Sequence, residues 1–121
     1  MGYPSPPEDM PARLERMEKD GNARMLVADS GGETIGLATV HIRHMINHAA
    51  PLAQLTLLVV DETRRSRGVG RLLVEAAERW AHERGCHRMV VTTALRRTDA
   101  HAFYERLGFQ HTGRRYAKDF D

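Results

Sequence analysis

The chain of 121 residues contains a single cysteine, Cys86, and lacks long apolar runs. One cysteine cannot form an internal disulfide, which excludes a disulfide-stapled secreted scaffold and favours a reducing cytoplasm as the compartment. No run approaches the roughly 18 apolar residues that a membrane-spanning helix needs. The first residues also lack the charged-then-apolar order of a signal peptide. We therefore expect a cytoplasmic protein without a membrane partner.

Lysine is almost absent, because the 18 basic residues are 16 arginines and two lysines. The formal net charge is only +2 and the hydrophobic fraction is 41%, which excludes collagen-like and wholly disordered chains. The arginines allow two interpretations: a composition bias of the whole chain, or guanidinium groups that bind phosphate. Their positions along the chain distinguish between these interpretations.

Proline is concentrated at the start of the chain, where four of the five prolines lie within the first eleven residues. We expect residues 1–8 to form an extended, mobile arm. The remainder contains no internal repeat, low-complexity tract or linker. Residues 1–121 are therefore predicted to form one domain.

Hydrophobic periodicity and turn residues predict an α/β domain (α+β in some schemes) with a mixed sheet. The predicted order is a helix over 9–20, strands over 24–28, 34–43 and 55–60, a helix over 69–84, a strand over 89–93, a helix over 99–107 and a closing strand over 109–118. The nearly all-apolar run 55–60 is typical of a strand covered on both faces. The long helix carries an apolar stripe at helical spacing: Val69, Leu72, Leu73, Ala76, Ala77, Trp80 and Ala81.

The densest basic cluster lies at the turn between the apolar strand and the long helix, where four arginines fall within eight residues: Arg64, Arg65, Arg67 and Arg71. Gly68 and Gly70 let the backbone approach a ligand closely there. The free N–H groups of the first helical turn form an anion site, to which guanidinium groups add hydrogen bonds. The turn therefore predicts phosphate binding, the alternative being a connector with solvent-facing arginines. The lysine of a nucleotide P-loop and the third glycine of a dinucleotide fingerprint are missing.

Three motifs in order carry a family resemblance. V-V-D over residues 59–61 precedes R-x-x-G-x-G over 65–70, and A-H-A-F-Y-E-R-L-G-F over 100–109 follows about thirty residues downstream. In this order, over about residues 22–118, the chain resembles the GNAT superfamily of acetyl-CoA-dependent N-acetyltransferases. The resemblance implies a mixed central β-sheet flanked by helices. The chain is short at the N-terminus for that fold, either naturally or by truncation, and a partner subunit could cover the exposed edge.

The resemblance also implies roles for individual residues, with acetyl-CoA as the acetyl donor. The backbone of Leu58, Val59 and Val60 would contact the pantetheine arm and the thioester carbonyl. Tyr104 would protonate the departing thiolate, for which a phenol with a reference pKa of about 10 is acidic enough; its alternative role is that of a core aromatic. The pyrophosphate of coenzyme A would be held by the loop residues Arg65, Ser66, Arg67, Gly68, Val69, Gly70 and Arg71.

The sequence departs from the family pattern at two places. Arg97 stands where many relatives carry an asparagine, and it would either reach coenzyme A phosphates or face solvent. Thr56 and Thr92 stand where relatives often carry a glutamate as general base, so the amine must lose its proton to water, to a histidine or to bulk solvent. His41 and His44, which titrate near neutrality, are candidates for the acceptor site together with Thr56; the alternative is exposed loop histidines.

No metal site is predicted. His41, His44 and His48 have helical spacing, but Pro51 argues against a helix there and no H-E-x-x-H pattern completes a site. We predict an enzyme that transfers acetyl from acetyl-CoA to a primary amine of a small molecule or a protein. The alternatives are a non-catalytic acyl-CoA-binding module and a nucleic-acid-binding module, against which the small basic excess argues. We expect no nucleic-acid partner, and a homodimer is left open.

Overall fold

The computed structural model describes residues 9–64, 68–91, 98–112 and 116–120. The predicted arm over residues 1–8 lies outside them. The element order agrees with the prediction through the third helix, with boundaries shifted by a few residues. The elements are α1 (Met10–Lys19), β1 (Ala23–Ser30), β2 (Glu33–Arg43), β3 (Leu52–Val60), a 3₁₀ turn (Glu62–Arg64), α2 (Val69–Glu83), β4 (Met89–Val91) and α3 (Thr98–Arg106).

The four strands form one mixed sheet in the order β1-β2-β3-β4. β1, β2 and β3 pair antiparallel, and β4 pairs parallel with β3, as expected if α2 is the crossover between two parallel strands. The β1–β2 hairpin turns at Gly31 and Gly32, whose φ angles of 58° and 85° favour glycine. The predicted mixed α/β architecture is confirmed.

α2 packs against one face of the sheet and forms the core with it. Leu73, Val74, Ala77, Trp80 and Ala81 are buried against Ala38, Val40, Ile42, Ala53 and Leu55. The predicted stripe was wrong at one position, because the side chain there is 64% exposed: Leu72. At 100° per residue this position lies about 140° from the centre of the buried arc, which explains its exposure.

A β-bulge interrupts the pairing of β2 with β3. Thr39 pairs with Leu57 and Val40 pairs with Leu55, so Thr56 is an extra residue on β3. Beyond the bulge, Leu57 is 38% exposed and Val59 is 49% exposed. The prediction that this strand is covered on both faces was therefore wrong. We call the sheet face opposite α2 the open face; on β2 and β3 it carries Leu37, Thr39, His41, Arg43, Gln54, Thr56, Leu57 and Val59.

The predicted closing strand over 109–118 is not formed in its described part, since residues 109–112 and 116–118 have no strand structure. A cavity of about 310 Å³ lies between β4 and the segment after α3, lined on the two sides by residues 88–91 and 107–110. The cavity separates this segment from the edge of β4. Among the described helices, none has the length and apolar character needed to cross a membrane.

Candidate active site

The predicted glycine turn lies at the start of α2. Gly68 is the residue before the helix and has a φ of 82°, a left-handed conformation that favours glycine. Its carbonyl accepts a hydrogen bond from the backbone N–H of Leu72 at 3.0 Å. The first turn carries no acidic residue, and none of the side chains that the structure describes caps it. The N–H groups of this turn are therefore available to an anion.

Asp61 connects the end of β3 to this turn. Its Oδ1 accepts hydrogen bonds from the backbone N–H of Thr63 at 2.9 Å and from the Thr63 hydroxyl at 2.7 Å. Its own N–H donates to the carbonyl of Ile35 on β2 at 2.9 Å. Asp61 thus fixes where the chain leaves the sheet. Of the predicted pyrophosphate ligands, three lie outside the described residues: Arg65, Ser66 and Arg67.

Two further predicted cofactor residues have well-defined contacts. The Nε of Arg71 donates to Oε2 of Glu75 at 3.1 Å, an exposed pair one helical turn apart. Gly70 has a packing role that the sequence did not indicate: a Cβ atom there would stand 3.2 Å from Cζ of Phe103 on α3. The glycine therefore allows α3 to lie against the start of α2. Val69 is half-buried beside it and packs against the core.

Tyr104 is half-buried between two other aromatic rings. Its ring meets those of Phe103 and Phe109 edge to face, with centroids 5.1 and 5.6 Å away. Its carbonyl accepts the N–H groups of Leu107 and Phe109 at 3.0 Å, which ties the segment after α3 to the same residue. These contacts hold the ring in one orientation. Arg97, the other predicted residue near this helix, lies outside the described residues, as does Thr92.

Three side chains on the open face form a hydrogen-bonded cluster. The hydroxyls of Thr39 and Thr56 are 2.6 Å apart, and Oγ1 of Thr56 lies 3.2 Å from Nδ1 of His41. The Thr56 hydroxyl also donates to the backbone carbonyl of Thr39 at 3.3 Å. Two predicted acceptor-site residues, His41 and Thr56, are thus brought together. Thr39 was not predicted, although its alternation with buried Val40 places it on the same face.

The remaining predicted residues are arranged differently. His41 lies inside β2, as the predicted strand over 34–43 implies, while His44 is exposed in the irregular segment that follows. Leu58 and Val60 pack towards α2, whereas Val59 lies on the open face. The second half of β3 therefore presents alternate side chains to the core and to the open face, and it runs directly into the glycine turn.

Two other groups have shifted pKa values. Burial raises the pKa of the Cys86 thiol, an effect that Arg84 partly opposes, and the side chain packs against the core as expected. Burial, and then the nearby Glu75, raise the pKa of Glu78. Glu78 lines the cavity beside β4, which contains none of the predicted site residues. The described residues include no cluster of three or more histidine, cysteine or acidic side chains that could hold a metal ion.

Comparison with known proteins identifies similar sequences over most of the chain. A sequence model of the acetyltransferase (GNAT) family matches residues 1–109. An aminoalkylphosphonate N-acetyltransferase of Salmonella typhimurium strain LT2 is 30% identical over 99 residues, which make up 82% of this chain and 64% of the relative. The chain therefore spans slightly less than two thirds of that protein. An aminoglycoside N(6')-acetyltransferase type 1 of the same organism is 30% identical, with coverage of 93% and 80%.

A solved structure has the same fold. The aminoglycoside N-acetyltransferase AAC(6')-Iy, in complex with the bisubstrate analogue CoA-S-monomethyl-acetylneamine, superposes with a TM-score of 0.88 and 28% sequence identity. The match covers 96% of this chain and 81% of that one. The fold described above is thus shared with an acetyltransferase structure that was solved with a coenzyme A conjugate bound.

Proposed function

The chain belongs to the acetyltransferase (GNAT) family, and we propose that it transfers an acetyl group from acetyl-CoA to the primary amine of a small molecule. One observation carries the proposal. β3 ends beside a helix start that has a left-handed glycine, no acidic residue and no side-chain cap. Such a helix start is suited to the pyrophosphate of coenzyme A.

The open face supports the same assignment, because it offers apolar surface next to that anion site. Leu57 and Val59 are half-exposed on the strand that leads into the glycine turn. A pantetheine arm lying along this strand would cover them and would contact the backbone of residues 58–60. We propose that Arg65 and its neighbours hold the pyrophosphate, with the thioester close to the bulge at Thr56.

Transfer by direct attack needs a neutral amine, a polarised carbonyl and a proton for the leaving sulfur. The amine nitrogen forms a bond to the thioester carbon, the carbon–sulfur bond breaks, and the thiolate takes up a proton. We propose that the Tyr104 hydroxyl supplies this proton. The support is the edge-to-face packing against Phe103 and Phe109, which fixes the ring.

The charge of the open face bears on the acceptor. Residues 34–60 contain no aspartate or glutamate, while they include Arg43 and three histidines. Arg43 lies two residues from His41 on the same face, a separation of roughly 7 Å along the strand. A polycationic acceptor would therefore find no carboxylate within residues 34–60. We propose that the acceptor is an amine that also carries an anionic group, such as an aminoalkylphosphonate.

Calorimetric titration with acetyl-CoA tests the donor half of the proposal. We expect one site per chain with a dissociation constant in the micromolar range, and competition by free coenzyme A. Absence of binding at near-millimolar ligand would contradict the proposal and would return the arginine cluster to the nucleic-acid alternative. Binding without any turnover would instead favour the non-catalytic acyl-CoA module.

Thiol release with an amine panel tests the acceptor half. The panel contains aminomethylphosphonate, 2-aminoethylphosphonate, tobramycin, spermidine and a lysine peptide. We expect the highest kcat/KM with an aminophosphonate, and we expect Arg43→Ala to raise its KM without changing acetyl-CoA affinity. A higher kcat/KM with tobramycin would contradict the acceptor assignment and leave the acetyltransferase assignment intact.

A further inference from the structure

We propose that His41 is the general base of the reaction and that Thr56 and Thr39 are positioning residues that set its tautomer. This inference rests on the proposed acetyltransferase function. It assigns the deprotonation of the acceptor amine, for which this chain lacks the glutamate that relatives often carry. It is carried by the hydrogen-bonded cluster on the open face, in which Nδ1 of His41 lies 3.2 Å from Oγ1 of Thr56.

The first step of the argument is the direction of the hydrogen bonds. The carbonyl oxygen of Thr39 can only accept, and the Thr56 hydroxyl donates its proton to it. We assign the proton of the 2.6 Å contact to the Thr39 hydroxyl, so that the oxygen of Thr56 accepts from His41; this assignment places the proton of the neutral imidazole on Nδ1. The opposite ring nitrogen, Nε2, therefore carries a lone pair and can take up a proton.

The second step is the lack of a competing base on these strands. β3 carries no titratable side chain, and on β2 the only titratable groups besides His41 are Glu33 at its first residue and Arg43 near its end. Eight residues separate Glu33 from His41, about 27 Å along the strand. His41 is thus the one titratable side chain of β2 and β3 that lies beside the bulge in the described structure.

The neighbouring elements carry eight charged groups. The charged groups on the adjacent strand and on the helix and turn that precede it are Arg13, Glu15, Arg16, Glu18, Lys19, Asp20, Arg24 and Asp29. Arg24 pairs with Val40 and so shares the α2 side of the sheet. Asp20 accepts the N–H of Asn22 at 2.9 Å, and Lys19 pairs with Glu15 at 3.0 Å. Arg43 is the charged side chain on the same strand face as His41.

The third step is position. Thr39, two residues from His41, pairs with Leu57, where the thioester is proposed to lie. His41 is therefore offset by roughly 7 Å along the strand from the proposed position of the thioester. The imidazole ring and the acceptor amine together span this distance. The acceptor ammonium gives one proton to Nε2 of His41, and the freed lone pair attacks the thioester carbon. The attached nitrogen then loses its second proton to solvent, and the Tyr104 oxygen, which protonated the thiolate, regains a proton from solvent. The imidazolium also returns its proton to solvent, so that ammonium and thioester give amide, thiol and one proton.

The test is the pH dependence of kcat/KM for wild-type protein and matched variants, with aminomethylphosphonate or the best amine of the panel. We expect His41→Gln to lower kcat/KM at pH 7 by roughly 10²–10⁴-fold and to remove the limb of the pH profile that His41 produces. The rate of this variant should recover as the pH approaches the pKa of the acceptor amine. Thr56→Val should lower kcat/KM several-fold and shift the same limb, and Thr56→Ser should restore it.

Two measurements separate a catalytic role from a structural one. Acetyl-CoA affinity by calorimetry should be unchanged in His41→Gln, which also shows that the variant is folded. His82→Gln, an exposed histidine on α2, should keep the wild-type profile. A wild-type profile for His41→Gln would overturn the inference while leaving the acetyltransferase assignment standing. Failure of the wild-type protein to turn over with any amine would overturn the proposed function, and the role of His41 with it.

Discussion

Gly70 in the first turn of α2 lies directly against the ring of Phe103 on α3. A Cβ atom at Gly70 would stand 3.2 Å from Cζ of Phe103, and the Phe103 ring in turn contacts Tyr104. The helix start proposed to bind pyrophosphate is therefore in direct contact with the aromatic group that contains the proposed proton donor. We therefore expect a substitution that displaces one to disturb the other, because packed side chains leave little free space.

Gly70→Ala tests this contact. The added methyl group must displace Phe103, and we expect a loss of stability of about 1–3 kcal/mol in urea denaturation together with a lower kcat. Gly21→Ala is the matched control, since nothing lies within 4 Å of a Cβ atom there. Equal stability of the Gly70 variant and wild type would show that the two helices separate readily.

Arg65→Ala tests the pyrophosphate site. Removing a charged donor to a phosphate should weaken acetyl-CoA binding by about 1.5–3 kcal/mol, measured by calorimetry. Arg79→Ala, at an exposed position on α2, controls for the general loss of positive charge. If both variants bind acetyl-CoA as tightly as wild type, the arginines of the turn are surface charge and do not contact phosphate.

Tyr104→Phe tests the proton donor. The ring and its packing remain, so we expect acetyl-CoA affinity to stay the same while kcat falls roughly ten- to a thousandfold. The control is Tyr116→Phe, because the side chain of Tyr116 is 89% exposed. An unchanged kcat would make Tyr104 a core aromatic only.

Glu78→Gln tests the link between charge and stability. Burial and the neighbouring Glu75 raise the pKa of Glu78 in the folded state. A carboxyl group whose pKa is raised on folding contributes to stability at pH values below its pKa in the unfolded chain. This contribution is lost as the pH rises through its pKa in the folded state. The glutamine variant should therefore be more stable than wild type at pH 7, by about 0.2–0.5 kcal/mol for a like-charge pair.

The gain from Glu78→Gln should vanish near pH 3, where the wild-type carboxyl is neutral. Urea denaturation at the two pH values measures it. Glu75→Gln removes the same repulsion but also the bond from Arg71, so its gain at pH 7 should be smaller. A larger gain for Glu75→Gln would show that the ion pair contributes nothing.

Much of the fold follows from periodicity in the sequence. The α2 stripe, the Gly31–Gly32 hairpin and the strand–glycine turn–helix order are local patterns, and the structure confirms them except at Leu72 of the stripe. The closing strand depended on a partner edge, which the cavity beside β4 separates from it. Local pattern contains no information about such a gap.

The open face was harder to predict for a related reason. The apolar sequence of residues 55–60 is compatible with a strand covered on one face or on both faces. The exposure of Leu57 and Val59 could therefore not be inferred from it. The contact between His41 and Thr56 depends on the bulge, which sets the cross-strand register. The residues were identified as candidates separately, but only the register brings them together.

The extra residue at the bulge, Thr56, is not part of the alternation by which β3 packs against α2. Leu55 and Leu58 face α2 on either side of it, and the alternation of faces would continue unbroken if Thr56 were missing. Thr56 is thus a position that the packing of the core does not constrain. A point substitution there would change the groups proposed to face the acceptor and would cost the hydrogen bonds of the Thr56 hydroxyl, while the apolar interior of the sheet stays as it is.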